Sequence, residues 1–316
     1  MTGFVARRFL LLIPTLVGIS IIIFLMVRLM PGDIIDVLFA GDFTATEEIK
    51  AQARKDLGLE GSYPEQYWNW ASGVATGDFG QSYRNAEPVS DILWRALPIT
   101  LELMILSLLI AVVIGVPLGV ISAVRRDSAS DYASRVGGLI GISIPNFWLA
   151  TLLLLLTSRV FGWVPPLVYT SFFDDPLTNL SQFILPAISI SVFTLAIVMR
   201  MVRATMLEVL SQDYVRTARA KGVQRRLVVY RHALRNALIP VVTVVGFEIG
   251  ILMGGAAIVE IIFGLPGVGY VLLQAIFNRD YPLVQGATLL LAATFVFANL
   301  LVDLVYGWLD PRISQE

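Results

Sequence analysis

Four carboxylic acids lie inside or at the ends of long apolar runs: Glu102, Glu248, Glu260 and Asp303. An ionisable group in hydrocarbon is costly, so it faces a cavity, a partner group or an ion path. Glu248 lies deepest in its run and is the first candidate for lining a permeation pathway, with Glu260 and Asp303 behind it. The alternative for Glu248 is a structural pair with a base on another helix. Other chemistries lack their parts. The single histidine, His232, sits in a basic stretch, and the chain has no cysteine, so neither a disulfide nor a thiolate metal site is expected. No serine has a histidine nearby to activate it. No Gly-x-x-x-x-Gly-Lys-Ser/Thr occurs, so the chain lacks the usual phosphate cradle for ATP. Catalysis by this chain alone is not expected.

The densest positive charge runs from Arg203 to Pro240, with Arg216, Arg219, Lys221, Arg225, Arg226, Arg231 and Arg235 opposed only by Glu208 and Asp213. At roughly 2.5–3.5 kcal/mol per Lys or Arg at mid-membrane, such a stretch does not cross a bilayer, and its charge puts it in the cytoplasm. Its pattern is helical. Tyr214, Val215 and Ala218 share a face, with Arg216, Arg219 and Lys221 around the rest. Gly222 supplies a left-handed residue to end the helix. Leu227, Tyr230 and Leu234 then recur at helical spacing. A short helix, a glycine break and a second helix make a foot at the membrane surface; taken alone, it also suits a loop resting on anionic lipid.

The rest of the chain must hold these groups in a membrane. Of 316 residues, 56% are hydrophobic and 15% charged, against about 25% charged in an ordinary soluble protein. The expected fold is all-α, with six transmembrane helices over about 9–30, 98–124, 136–160, 181–201, 240–263 and 283–308, each long enough for one crossing. Pro145 is expected to kink the third. Organisation follows: an N-terminus and first span over 1–30, a polar segment over 31–97, and a five-span core over 98–316 carrying the basic loop 203–240. The polar segment holds eleven acids and five bases, which places it outside. Helices are expected there over Thr46–Leu57 and from Tyr63 to Trp70. Arg7, Arg8, Arg125, Arg126, Arg135 and Arg312 mark the inner side, and six spans put both termini there. In the fifth span Gly246, Gly250 and Gly254 repeat every fourth residue, a face for close helix approach.

The segment Arg216-Thr217-Ala218-x-x-x-Gly222 resembles the "EAA" loop of ABC-importer permeases, whose pattern is Glu-Ala-Ala, three residues, then Gly. Ala218 and Gly222 match; Arg216 replaces Glu and Thr217 replaces the first Ala. The pattern's later Ile-x-Leu-Pro is replaced by His232-Ala233-Leu234-Arg235, with proline only at Pro240. DYVRTARAKG followed by RHALRNALIP is similar to the B-type permeases of dipeptide, oligopeptide and nickel importers, and the likeness runs over nearly the whole chain. The resemblance implies a permease subunit in a bacterial inner membrane. Tyr214, Val215, Arg216, Thr217, Ala218, Lys221 and Gly222 would form the coupling helix. The implied partners are a second homologous permease, two ATP-binding subunits that carry ATP and Mg, and an external solute-binding protein. Membrane lipid surrounds it, and no nucleic acid is involved. The absence of Cys and of His on the pathway favours di- or oligopeptides over bare metal. An ion-driven secondary carrier and a non-transporting scaffold are the other classes. The sparse buried charge speaks against the first, and the foot against the second.

Overall fold

The computed structural model describes residues 2–29, 35, 39, 46–56 and 58–309; the side chains of residues 2–9, 56, 251 and 303–309 fall outside that description. The helices are α1 (Thr2–Leu29), α2 (Glu47–Asp56), α3 (Tyr63–Ala75), α4 (Val89–Val124), α5 (Ala129–Ser143), α6 (Asn146–Phe161), α7 (Pro176–Leu210), α8 (Asp213–Ala220) and α9 (Arg225–Leu227). A π-helix (Val228–Leu234), α10 (Arg235–Phe263), α11 (Val268–Phe277) and α12 (Tyr281–Leu309) complete the order. Among the described residues there is no β-strand, only an isolated bridge between Gln81 and Pro88. The protein is an all-α membrane protein. Five helices are long and apolar enough to span, and up to seven spans result if each of two bent pairs counts as one. The six expected fall inside that range.

Several boundaries differ from the sequence expectation, and three of them bear on the packing of the core. α4 starts at Val89 rather than Pro98, because Val89, Leu93 and Ala96 already form a buried helical stripe. The third span is broken rather than kinked: α5 and α6 meet at 103° across Ile144-Pro145. Proline disfavours helical backbone in the residue before it, and Ile144 adopts extended φ/ψ of −84° and 122°. α7 runs on to Leu210, well past Met201, so the first turns of the basic stretch belong to a long helix. Met30, where the first span is expected to end, and Arg312, an expected inner-side residue, lie outside the described residues.

One compact unit comprises Ala6–Ile99 and Gly267–Val296. The described helices of its polar segment are held by local chemistry. The Ile49 amide donates to Thr46 Oγ1 at the start of α2. Ahead of α3, the Ser62 amide and hydroxyl both donate to Glu65 at 2.9 Å, a capping-box arrangement that holds the Glu65 carboxyl below its usual range. Tyr67 and Trp70 stack on Phe24 of α1, and the Tyr67 hydroxyl lies 2.9 Å from Ser20 Oγ. Two of the four aromatic residues between Tyr63 and Trp70 thus pack on a helix, while Tyr63 and Trp68 stay exposed.

The other unit is built on Thr100–Pro266. Asp175 caps α7, which Pro176 opens, accepting from the amides of Leu177 and Thr178; the Thr178 hydroxyl first, and these amides with it, hold its carboxyl low. α7 is the enclosed helix, with 67% of its most apolar window buried against 33% or less in the other four unbroken spans. Glycines let its neighbours approach. A Cβ on Gly119 of α4 would sit 2.7 Å from the Met199 carbonyl oxygen, and one on Gly141 of α5 would sit 3.2 Å from the Ala196 Cβ. The expected glycine face on α10 divides: Gly246 meets Val302 of α12, with 2.6 Å between an added Cβ and a Val302 methyl. Gly254 faces open space within this chain, and Gly250 is half-buried.

This contrast is testable. Gly119→Ala is expected to destabilise the unit by about 1–3 kcal/mol, the usual cost of overpacking against backbone. Gly137→Ala, which meets no atom within 4 Å, is expected to be near neutral. Thermal unfolding of the purified protein reads both, and equal midpoints would remove the close contact at Gly119.

Candidate functional site

The basic stretch folds into a small foot between the end of α7 and the start of α10. α8 lays Val215 inward, fully buried, with Ala218 half-buried beside it. Tyr214 is partly exposed but anchored: its hydroxyl donates to the His232 carbonyl at 3.3 Å and accepts from Asn236 Nδ2 at 2.8 Å. The outer side presents Arg216, Thr217 and Lys221 to solvent, with Arg216 paired to Asp213. The helix ends in a Schellman arrangement. The Val223 amide donates to the Ala218 carbonyl at 3.2 Å, the Gly222 amide donates to Arg219 at 3.0 Å, and Gly222 has φ 77°. Within this chain, Ala218 therefore faces its own scaffold, while the solvent face is basic and hydroxylic.

Beyond the glycine, the face assigned from sequence is displaced. Leu227 and Tyr230 are exposed, and the buried line is Val229, Ala233, Ala237 and Val241. It packs on Val120 and Ala123 of α4 and on Val198, Val202 and Met206 of α7. Positions four apart drift about 40° round an α-helix. The wider π-turn over Val228–Leu234 takes up part of that drift, so the line stays on one face.

Above the foot sits a group that sequence reading missed. Asp131, in the first turn of α5, is fully buried. Arg203 of α7 donates to both its oxygens, Nε at 2.7 Å and Nη2 at 2.9 Å. Ser122 near the end of α4 donates at 2.5 Å, and the Asp127 amide at 3.0 Å. One carboxylate thus ties together three helices immediately before the foot. The available signal was an acid at the start of an apolar run in a segment otherwise marked by Arg125, Arg126 and Arg135. Its partner, 72 positions on, was not legible.

Two of the acids assigned to a pathway, Glu248 and Glu260, lie apart and have different partners. Glu248, nearly fully buried, accepts from Thr194 of α7 at 3.1 Å. Glu260, fully buried, accepts from Thr100 of α4 at 2.7 Å. Twelve residues of helix separate them, roughly 18 Å. Glu102 is half-buried. Asp303 lies on α12, and its side chain is outside the described residues. Among the described residues no group of three potential ligands could hold a metal ion. The arrangement is a short helix with a defined end, anchored on its own chain, that shows a basic face to solvent.

The family model for the inner membrane component of binding-protein-dependent transport systems matches residues 115–315, and the model for its N-terminal part matches residues 1–104. Over the whole of both chains, the sequence is 41% identical to a putative peptide transport system permease protein of Brucella suis. It is 40% identical to the dipeptide transport system permease protein of Escherichia coli K12, again over all of both chains. The dipeptide transport system permease protein of Alkalihalophilus pseudofirmus is 39% identical, over 99% of this chain and all of the relative.

Proposed function

Since the chain belongs to the family of binding-protein-dependent transport system inner membrane components, we propose that its foot is the surface on which an ATP-hydrolysing subunit docks. The protein is the permease subunit of an ABC importer for peptides, a multi-pass component of the inner membrane rather than a hydrolase. The observation that carries the docking proposal is α8. An isolated eight-residue helix is marginal in water. Here it is fixed by the buried Val215, by the Tyr214 hydroxyl and by the left-handed Gly222, and its solvent face is left for a partner.

In this reading ATP and Mg are held by two partner ATPases, a second homologous permease completes the membrane pore, and an external binding protein delivers peptide. Closure of the ATPases moves α8. Because α7 ends three residues before α8 starts, that motion passes directly to the most enclosed span. The differential contacts of the two states then lie in the docked foot. Glu248 and Glu260 hold α10 to its neighbours through threonine hydroxyls, which suits a structural role in this subunit better than a shared pathway site.

Affinity purification through this chain from native membranes is expected to bring down ATP-hydrolysing subunits, and the complex in vesicles to show peptide-stimulated ATP hydrolysis. An intact complex free of any ATPase would sink the proposal. Orientation is checked with single cysteines at two exposed positions, Ser72→Cys and Gln224→Cys. A membrane-impermeant maleimide is expected to reach the first from outside and the second only from the cytoplasm. The opposite pattern would reverse the topology.

A further inference from the structure

Between the end of α4 and the start of the π-helix lies an open groove of about 370 Å³. Its wall is apolar, made by Val120, Ile121 and Val124 with Val229 and Tyr230 opposite. Its rim is cationic, made by Arg125, Arg225 and Arg226. Among the described residues no carboxylate lines it, and none of the three arginines is in an ion pair. Arg225 is held in place: its Nη2 donates to the Val124 carbonyl at 3.4 Å, at the end of α4.

The position of this groove matters as much as its lining. Val124 is the last residue of a candidate span, and Arg125 is the first residue after it. With Arg125 and Arg126 marking the end of that span, the wall falls on its apolar side and the rim on its polar side. Ile121 is 40% exposed and Tyr230 57% exposed, which wastes apolar surface in water but not against a lipid tail. We propose that this groove binds one anionic phospholipid of the adjacent leaflet, its phosphate on the three guanidinium groups and an acyl chain along Val120, Ile121 and Tyr230. The leaflet is the cytoplasmic one if the orientation above holds, but the groove's chemistry does not depend on that assignment. The charge complements the lipid: planar guanidinium groups suit phosphate oxygens, and each basic residue near an anionic surface adds attraction. A neighbouring cavity lined by Arg126, Arg219 and Arg225 lies on the foot side and serves as a contrast.

The test uses the intact complex in nanodiscs of mixed phosphatidylcholine and phosphatidylglycerol, with retained lipid read by native mass spectrometry after mild detergent exchange. Replacing each rim arginine by Gln is expected to lower phosphatidylglycerol retention about fivefold, and all three together by about a hundredfold, on the usual attraction per basic residue. Ile121→Trp, which fills the groove without changing charge, is also expected to lower retention and decides the matter if the triple variant fails to assemble. Arg219→Gln is expected to retain lipid at the native level. Water-soluble glycerol phosphate is not expected to displace the lipid. Native retention in an assembled triple variant, or in Ile121→Trp, would overturn the site. Equal displacement by glycerol phosphate would reduce it to a simple anion site and also overturn it. Loss of ATPase subunits with lipid retention unchanged would assign the arginines to protein docking instead.

Discussion

Gly222→Val is expected to leave the permease in the membrane yet abolish coupled uptake, with transport falling by an order of magnitude or more while ATPase binding or turnover persists uncoupled. The reason is confined to one backbone conformation. Gly222 has φ 77° and no atom within 4 Å of where a Cβ would sit, so the substitution does not clash with a neighbour. It penalises the left-handed conformation itself, by roughly 1–2 kcal/mol or more for a β-branched residue. Relief comes from leaving that conformation, which breaks the Gly222-to-Arg219 and Val223-to-Ala218 hydrogen bonds and lets α8 end elsewhere. Asparagine tolerates the left-handed region, so Gly222→Asn is expected to keep most coupling. Ala218→Asp attacks the same element from beneath. Ala218 is half-buried in its own chain beside Val215, so a carboxylate there lifts α8 off its scaffold at a cost of about 1–3 kcal/mol or more. Arg231→Ala, an exposed change in the π-helix, is expected to cost much less. Peptide uptake and ATP hydrolysis in the same vesicles, with subunit retention measured alongside, read all four. Full coupled uptake by both Gly222→Val and Ala218→Asp would remove the coupling role of the foot.

What the sequence revealed and what it hid follow the range of the interactions. The spans, the basic foot and the positive φ at Gly222 come from local pattern: apolar run length, charge clustering, and a glycine after a basic helical turn. The π-helix is different. Val228-Val229-Tyr230-Arg231-His232 contains no residue that demands i+5 bonding. The winding is set by the need to keep Val229 and Ala233 in line with Ala237 and Val241 against α4 and α7, a tertiary requirement. The glycine faces teach the same lesson. The threefold repeat at Gly246, Gly250 and Gly254 drew attention, yet the tightest approaches to a neighbouring helix's backbone are at Gly115 and Gly119, where the α7 backbone lies opposite. A glycine repeat signals that approach is permitted; only the partner helix decides whether it occurs. Likewise Pro145 announced a bend, but the 103° between α5 and α6 is reached with both helices packed on α7.

Breaking the Asp131–Arg203 pair is expected to have the largest effect on assembly of any single substitution in the core unit. Asp131 has no exposed side-chain surface, and Arg203 only 22%. Taking a carboxylate out of water costs several kcal/mol, repaid here by two guanidinium bonds, a hydroxyl and an amide. Removing one partner forfeits the repayment and leaves the other charge stranded, at a typical cost of about 3–5 kcal/mol. That is a large share of the stability of an ordinary domain. Asp131→Leu and Arg203→Met, made separately, are therefore expected to reduce assembled complex in the membrane by about tenfold or more. The damage should centre on the ends of α4, α5 and α7, where protease would cut first. Asp131→Asn is nearly as disruptive, because its amide nitrogen presents a donor to atoms that are themselves donors. The double variant Asp131→Leu/Arg203→Met carries neither stranded charge, and apolar replacement of a whole buried pair is often close to neutral. It is expected to recover most of the assembly lost in either single variant, a coupling that independent sites do not show. Recovery of assembly without recovery of peptide uptake would mark the pair as the link that carries motion from the foot into α7. A double variant as poor as the sum of its two singles would instead show that Asp131 and Arg203 act separately, and the clamp between the three helices would have to be abandoned.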